Sequence, residues 1–350
     1  MKQVRKRILA FDIARAVTIF LVIVGHSMNG WNHPLLSNLI FAINLPVFFF
    51  ISGYFYRHKS ILQTIKTGFN NLILPYFVIA TAIVGLNFLK ESLHHQALNW
   101  GLLIPYFYGN GASVTTPGNY DIVPHMGAIW FLLMMFLANI IFQLFMRLES
   151  PVSQAMGVLI AVLLGIWLAN RFSLPWTLQS ALEVQIYYLV GYWAHRMNLI
   201  KTHHWQRLII GLSVILLGLT TVFGGKYTLV TGQAAHQGLS ILAGIGSSFL
   251  LIYLAQALEH LFDPKRLARL VQLGAISMLV LCIHDLDIIF LDQYLVHHFL
   301  SHLHGWQQNG AYLSLIVIRV WYTSVLALVV VKISWVRRIF IERDYPLALT

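Results

Sequence analysis

Residues 8–28 read ILAFDIARAVTIFLVIVGHSM, an apolar run in which Asp12, Arg15 and His26 are the ionisable residues. A helix needs roughly 20 apolar residues to cross the hydrocarbon core of a bilayer, which is about 30 Å thick. The run has that length and lacks the small-residue cleavage site that ends a signal peptide. We therefore predict that it forms a retained transmembrane helix.

Further blocks of the same character follow along the chain, without the period-2 alternation of barrel strands. They must be helices, because lipid offers no partner to free backbone groups. Composition agrees, since 58% of the 350 residues are hydrophobic, 10% are charged and the mean hydropathy is +0.71. We predict an all-α polytopic membrane helix bundle with about ten transmembrane helices, forming a single domain over residues 1–350 with no appended soluble domain. The further blocks are 37–56, 72–90, 127–146, 152–170, 176–195, 207–224, 239–258, 270–291 and 311–333.

Lys and Arg residues are distributed unevenly between the two sides of this bundle. With the N-terminus in the cytoplasm, the outer segments hold only Lys90, Arg171 and Lys226, and Arg15 and Arg319 lie within helices. The other 18 of the 23 Lys and Arg residues then fall on the cytoplasmic side, as the positive-inside rule requires. We predict cytoplasmic N- and C-termini and a multi-pass protein of the cell membrane, the bacterial cytoplasmic membrane. The net charge of +11 follows from this topology and from contact with anionic membrane lipids, and indicates no nucleic-acid partner.

Other function classes need features that the sequence lacks. One cysteine, Cys282, excludes an intrachain disulfide and a cysteine-built metal site. We find no P-loop and no Gly-rich dinucleotide motif, so ATP is not expected to drive a pump directly. A histidine cluster near the C-terminus has one helical i, i+4 pair, but no acid completes it, and we expect no metal. The cluster consists of His297, His298, His302 and His304.

The longest predicted outer loop, residues 91–126, is rich in Gly, Asn, Thr, Pro and aromatic residues. Its aromatics include Tyr106, Phe107, Tyr108 and Tyr120. Aromatic, hydroxyl-rich surfaces suit sugar rings, but Tyr and Trp also collect at membrane interfaces. The composition leaves both interpretations open.

Arg15 and His26 lie on one face of the first predicted helix. They are eleven positions apart, which at 100° per residue is about 20° from whole turns, with about 16 Å between them along the axis. Asp12 precedes Arg15 by three positions and can pair with it. Burying an ionisable group in a bilayer costs at least ~2.5–3.5 kcal/mol, so such residues are candidates for function. The alternative is a structural Asp12–Arg15 pair with His26 in the headgroup region.

The spacing of Arg15 and the Gly25-His26 pair resembles the first-helix signature of the acyltransferase-three family. Its members are polytopic acyltransferases and include bacterial sugar and polysaccharide O-acetylases. Further motifs resemble those of the family and follow in the same order, so that the resemblance extends from Asp12 to His284. They are Asn44–Tyr54 (NLPVFFFISGY), Leu74–Tyr76 (LPY), Ile129–Leu132 (IWFL), Tyr188–Tyr192 (YLVGY) and Gly274–Met278 (GAISM) with the downstream His284.

The resemblance implies a membrane O-acyltransferase that takes acetyl, or another acyl group, from cytoplasmic acetyl-CoA or acyl-CoA. The acceptor would be a hydroxyl of an extracytoplasmic sugar or cell-envelope polysaccharide. It implies that His26 is the general base or a transient acyl carrier, and that Arg15 orients the donor or stabilises an oxyanion. His284 is a further catalytic candidate. A separate extracytoplasmic transferase partner is left open.

The chain departs from the family at one motif, the Arg-x-x-Arg pair that precedes the LPY element and is thought to hold the donor's phosphates. Gly68 and Asn71 stand at those two positions. We expect Lys66, Lys59 or Arg57 to supply positive charge instead, although lysine lacks the bidentate fork of arginine. This departure also keeps a sensor or non-catalytic relative as an alternative.

Four more charged residues lie within predicted helices. Asp285 and Asp287 either orient a histidine or reach the interface. Glu183 and Arg319 are expected to pair with one another or to contact substrate.

A secondary transporter or flippase of a polar or lipid-linked solute is the second hypothesis for the whole chain. Ten helices with few buried charges suit that class too, because fold does not determine function. Internal repeats are frequent in such transporters, but we see no convincing match between the two halves.

Overall fold

The computed structural model describes residues 8–28, 30–118, 120–122, 124–295, 300 and 302–341, and these are predominantly helical. Within these ranges the strands are β1 (Val114–Thr115) and β2 (Asp121–Ile122), which pair antiparallel. The helices are, in chain order, α1 (Leu9–Ser27), α2 (Pro34–Ile43), α3 (Pro46–Tyr54), α4 (Ile61–Gly68), α5 (Leu74–Leu93), α6 (Leu103–Tyr108), α7 (Trp130–Phe145), α8 (Pro151–Ala169), α9 (Leu178–Glu183), α10 (Gln185–Arg196), α11 (His203–Leu219), α12 (Gln237–Leu261), α13 (Pro264–Ala275), α14 (Ser277–Asp287), α15 (Gln293–Leu295), α16 (Gly305–Val330) and α17 (Ser334–Phe340).

Eight stretches of helix in the described part of the chain are long and apolar enough to cross a membrane. The pair α13–α14, which is bent by 66°, makes a ninth. The predicted all-α polytopic membrane bundle is therefore confirmed. The predicted block 176–195 forms the pair α9–α10, which is not among these nine. It is less apolar because it buries Gln179, Glu183 and Gln185.

Large apolar side chains are exposed in rows on the outer helices of the bundle. A water-soluble surface rarely carries contiguous apolar patches of this kind, whereas a lipid-facing surface requires them. Examples are Leu159, Ile160 and Leu163 on α8, Leu212 and Ile215 on α11, and Val317, Ile318 and Trp321 on α16.

Two of the predicted blocks differ from single straight helices. Block 37–56 is divided into α2 and α3, and Pro46 occupies the first turn of α3, where its missing N–H costs nothing. Block 72–90 is the end of a longer helical stretch that begins at Ile61 and continues through a π-helical segment, Phe69–Ile73, into α5. Hydropathy misses α4 because that helix is amphipathic.

Glycines permit the close helix contacts that shape the bundle. A Cβ on Gly274 would overlap the carbonyl oxygen of Asp12, so α13 crosses α1 with backbones in contact. A Cβ on Gly53 would likewise overlap the Tyr188 carbonyl, which brings α3 against α10. After α13 the chain bends at Ile276, and α14 then runs beside the last turns of α1 and the middle of α16. We call the end of the bundle that holds His26 the outer end, following the predicted orientation, and the opposite end the inner end.

The loop between α5 and α7 is folded onto the outer end. The Tyr76 hydroxyl donates to the Tyr106 carbonyl oxygen at 2.9 Å, and the Tyr108 hydroxyl donates to the Ser173 carbonyl oxygen at 2.7 Å. Phe107 and Tyr120 remain exposed. The backbone of Tyr106 and the side chain of Tyr108 therefore hold the loop in place, whereas Phe107 and Tyr120 are available to the surroundings.

Candidate active site

Two histidines meet at the outer end, where the last turns of α1 and α14 lie side by side. The ring centroids of His26 and His284 are 5.7 Å apart, with the ring planes inclined by 55°. His284 is fully buried, whereas His26 is partly exposed. A molecule at the outer end can therefore reach His26, and His284 lies behind it.

Buried polar side chains support His284 from three helices. Asp287 Oδ2 lies 3.5 Å from His284 Nδ1 and 3.1 Å from Arg319 Nε. Arg319 Nη1 donates to Ser27 Oγ at 3.4 Å, and the Ser27 hydroxyl donates to the Ile23 carbonyl oxygen at 2.7 Å. A buried charge pair persists only when both members are well satisfied. The arrangement fixes α14, α16 and α1 together and places a carboxylate at the Nδ1 side of His284.

Asp285 holds the loop that precedes α7. Its Oδ1 accepts the backbone N–H of Ala128. Gly127 has φ of +64°, and a Cβ there would overlap the Asp285 carboxylate, so glycine is required on both counts.

His125 is a third histidine near the pair. Its Nδ1 accepts the backbone N–H of Gly127 at 3.2 Å, and it lies close enough to His26 to act on it electrostatically. Burial lowers the pKa of His125 from its ordinary value of 6.5, because loss of water disfavours the charged form. His125 is therefore neutral at pH 7, with its proton on Nε2.

The first part of α1 carries the predicted Asp12–Arg15 pair, and the structure confirms it. Arg15 Nη1 lies 3.3 Å from Asp12 Oδ1, with Asp12 buried and the Arg15 side chain 27% exposed. Because α1 is continuous from Leu9 to Ser27, Arg15 shares a face with His26 but lies about 16 Å away along the axis. The two side chains therefore act at different depths of the bundle.

A cavity of about 290 Å³ opens at the inner end between α3, α4 and α7. Arg57 and Lys59, two of the predicted donor-binding residues, line it, and Lys66, the third, is not among its lining residues. Neither Arg15 nor His26 borders it. Its uncharged polar lining includes Ser52, Asn71, Asn139, Gln143 and Tyr188.

Residues 8–336 match the sequence model of a family described as an acyltransferase domain, the acyltransferase-three family. The chain belongs to the acyltransferase-three family. It is accordingly a multi-pass membrane protein with an acyltransferase domain, and the resemblance seen in the sequence motifs is confirmed. No curated protein matches the chain.

The departure from the acyltransferase-three pattern falls at the inner cavity. Gly68 and Asn71, which stand at the family's two arginine positions, both line it. A Cβ on Gly68 would come within 2.7 Å of the Phe136 ring, so this position cannot hold a larger side chain unless Phe136 moves. Nearby, the Tyr188 hydroxyl donates to Asn139 Oδ1 at 3.0 Å. The cavity thus presents amides and hydroxyls, and its lining cations are Arg57 and Lys59.

The predicted pairing of Glu183 with Arg319 is wrong. Glu183 Oε1 accepts the Tyr227 hydroxyl at 2.6 Å and Gln237 Nε2 at 3.1 Å, whereas Arg319 pairs with Asp287. The outer segment after α11 folds inward and supplies Tyr227. Hydropathy cannot predict this inward folding. The alternative in which Asp287 orients a histidine agrees with the geometry.

His125 could not be predicted as a site residue from the sequence. It lies in a loop, where placing a histidine has little energetic cost and so gives no signal. Its position two residues before Gly127 is the available signal, since a glycine with positive φ often marks a close approach of backbone to another group. In the predicted histidine cluster, His302 and His304 are exposed, and His297 and His298 lie outside the described residues.

Proposed function

We propose that this membrane acyltransferase moves an acyl group, acetyl in the simplest case, from cytoplasmic acyl-CoA to a hydroxyl of an extracytoplasmic sugar or cell-envelope polysaccharide. The observation that supports this most is the pair of a partly exposed His26 and a buried His284 backed by Asp287. A hydroxyl is a poor nucleophile until a base removes its proton, and imidazole is the usual base. The outer end thus has the group that an alcohol acceptor needs.

In the proposed reaction, His26 takes the proton of the acceptor hydroxyl as the hydroxyl oxygen attacks the thioester carbonyl carbon. The C–O bond of the ester forms, the C–S bond of the thioester breaks, and the CoA sulfur receives the proton from the His26 imidazolium. His284, held by Asp287, packs against His26 and positions its ring. In the acyl-carrier variant, a ring nitrogen of His26 attacks the thioester carbonyl carbon and displaces CoA as the thiolate. The acceptor hydroxyl then attacks the acyl-imidazole, the acyl–nitrogen bond breaks as the ester forms, and the hydroxyl proton passes to the CoA thiolate.

The inner cavity is the proposed entry for the donor. The phosphates of acyl-CoA are anionic, and Arg57 and Lys59 line the cavity. Lys66 is outside the lining, so we assign it at most a long-range contribution. Arg15, partly exposed and paired with Asp12, is proposed to orient the donor's acyl arm rather than to contact His26.

The proposal is tested by release of CoA from the purified protein in lipid vesicles. The single cysteine, Cys282, is buried, so a thiol reagent reports free CoA with little background from the protein. We expect CoA release that requires both acyl-CoA and an envelope glycan acceptor. Flux of a solute across the vesicle membrane without CoA release would instead support the transporter or flippase hypothesis.

A further inference from the structure

The charged or ionisable groups placed to act on His26 are all basic within the described part of the chain. They come from four different segments and are His284 on α14, Arg319 on α16, His125 before α7 and Lys226 between α11 and α12. The two carboxylates of α14 have other partners, since Asp285 accepts a backbone N–H and Asp287 pairs with Arg319. Because Arg319 is paired with Asp287 and His125 is neutral, Lys226 is the charged group of the four that an anion near His26 would meet.

Lys226 is the member of this group that reaches outward. Its ammonium lies 4.1 Å above the centre of the Phe41 ring, and Phe41 in turn meets His26 edge-on, with ring centroids 6.5 Å apart. The ion pairs of the described residues do not include Lys226. Partial burial lowers the pKa of Lys226, because its ammonium has lost water. A bound anion would replace that lost solvation.

The other outer cations differ from Lys226. Arg171 also lies over an aromatic ring, that of Trp167, but it donates to the Trp167 carbonyl oxygen and so is held by the end of α8. Lys90 is an exposed residue of the last turn of α5. Of these three, Lys226 is the one placed on the Phe41 ring, which in turn meets His26.

We propose that the acceptor carries an anionic oxygen group, a carboxylate or a phosphate, near the hydroxyl that is acylated, and that Lys226 binds this group. The inference rests on the proposed function and narrows its acceptor to an acidic saccharide. Lys226 contacts the Phe41 ring, which in turn meets His26, and this placement suits a substituent of the acceptor rather than the reacting carbonyl. A charged contact of this kind contributes about 1.5–3 kcal/mol, which corresponds to a tenfold or larger effect on binding.

The test uses membranes that contain the full-length protein, labelled acyl-CoA and the native envelope glycan. Methyl glucuronide and methyl glucoside serve as competitors, because they share a sugar ring and differ in the carboxylate. We expect the glucuronide to inhibit transfer about tenfold more strongly than the glucoside. This difference should fall below about threefold in Lys226→Gln and return in Lys226→Arg. Lys90→Gln is the matched control and should behave as the wild type.

Equal inhibition by the two sugars, inhibition by neither, or a difference that survives in Lys226→Gln would overturn the inference. Lys226 could instead bind the phosphate of a lipid. Repeating the assay in vesicles with and without phosphatidylglycerol distinguishes this from binding of the acceptor. A dependence on that lipid that is lost in Lys226→Gln, with equal inhibition by both sugars, also overturns it. Absence of any labelled ester in the wild type contradicts the proposed function itself, whereas ester formation without discrimination contradicts only the inference about Lys226.

Discussion

Asp287 has two neighbours at the outer end, the His284 imidazole and the Arg319 guanidinium, and all three side chains are buried. In such a triad the carboxylate has a structural and a chemical role. It offsets the cost of burying Arg319, and it fixes the position and tautomer of His284. The two roles are separable, because the charge pair can be replaced as a whole.

We predict that Asp287→Leu lowers stability by about 3–5 kcal/mol, since it leaves the Arg319 charge buried without its carboxylate. The double variant Asp287→Leu/Arg319→Met removes both charges and should recover most of the thermal stability in detergent. Acyl transfer should remain low in both variants, because His284 has lost its acceptor. Wild-type transfer by the double variant would show that Asp287 does not position His284.

The sequence could predict which residues are candidates for function only where burying the side chain in the bilayer has a high free-energy cost. The bilayer made His26, Arg15, His284, Asp287 and Arg319 candidates before any contact was known. The partner of Arg319 was not predictable, because it depends on the bend at Ile276 that turns α14 towards α16. Lys226 and His125 lie in loops, where the cost of a charged or polar side chain gives no signal.

Among the helices, the bent pair α13–α14 does most to build the site. Gly274 allows α13 to cross α1 at backbone contact, and the 66° bend then brings His284 beside His26. The GAISM motif thereby acquires a physical explanation, since its glycine makes the crossing and its serine starts α14. Hydropathy located this block correctly but gave no means of predicting the bend.

Gly274→Ala should destabilise the protein by about 1–3 kcal/mol, because the added methyl group overlaps the Asp12 carbonyl and forces the two helices apart. Gly85→Ala is the matched control, since Gly85 is also helical and has open space where its Cβ would lie. The control should be neutral or stabilising by up to about 1 kcal/mol. Thermal unfolding of both purified variants measures this, and equal melting temperatures would contradict the contact.

At the scale of the whole molecule, two candidate functional regions lie at opposite ends of one bundle. The inner end has a cavity lined by Arg57 and Lys59, and the outer end has the histidine pair. The all-α membrane class followed from composition and block length alone, because few chemical choices are open to a chain in lipid. The depth of each site followed from helix geometry. The folding of the outer loops onto the bundle could not be predicted, because the residues that make loop contacts follow no periodic pattern in the sequence.

The central claim is that His26 is the base of an acyl transfer, and the most direct test is its replacement by alanine in cells. We predict that His26→Ala lowers O-acyl groups on the envelope glycan by at least about 100-fold at normal protein abundance, as expected for loss of a general base. His94→Ala, at an exposed histidine after α5, should leave the O-acyl content unchanged. Undiminished O-acylation in His26→Ala protein at wild-type abundance would contradict the account.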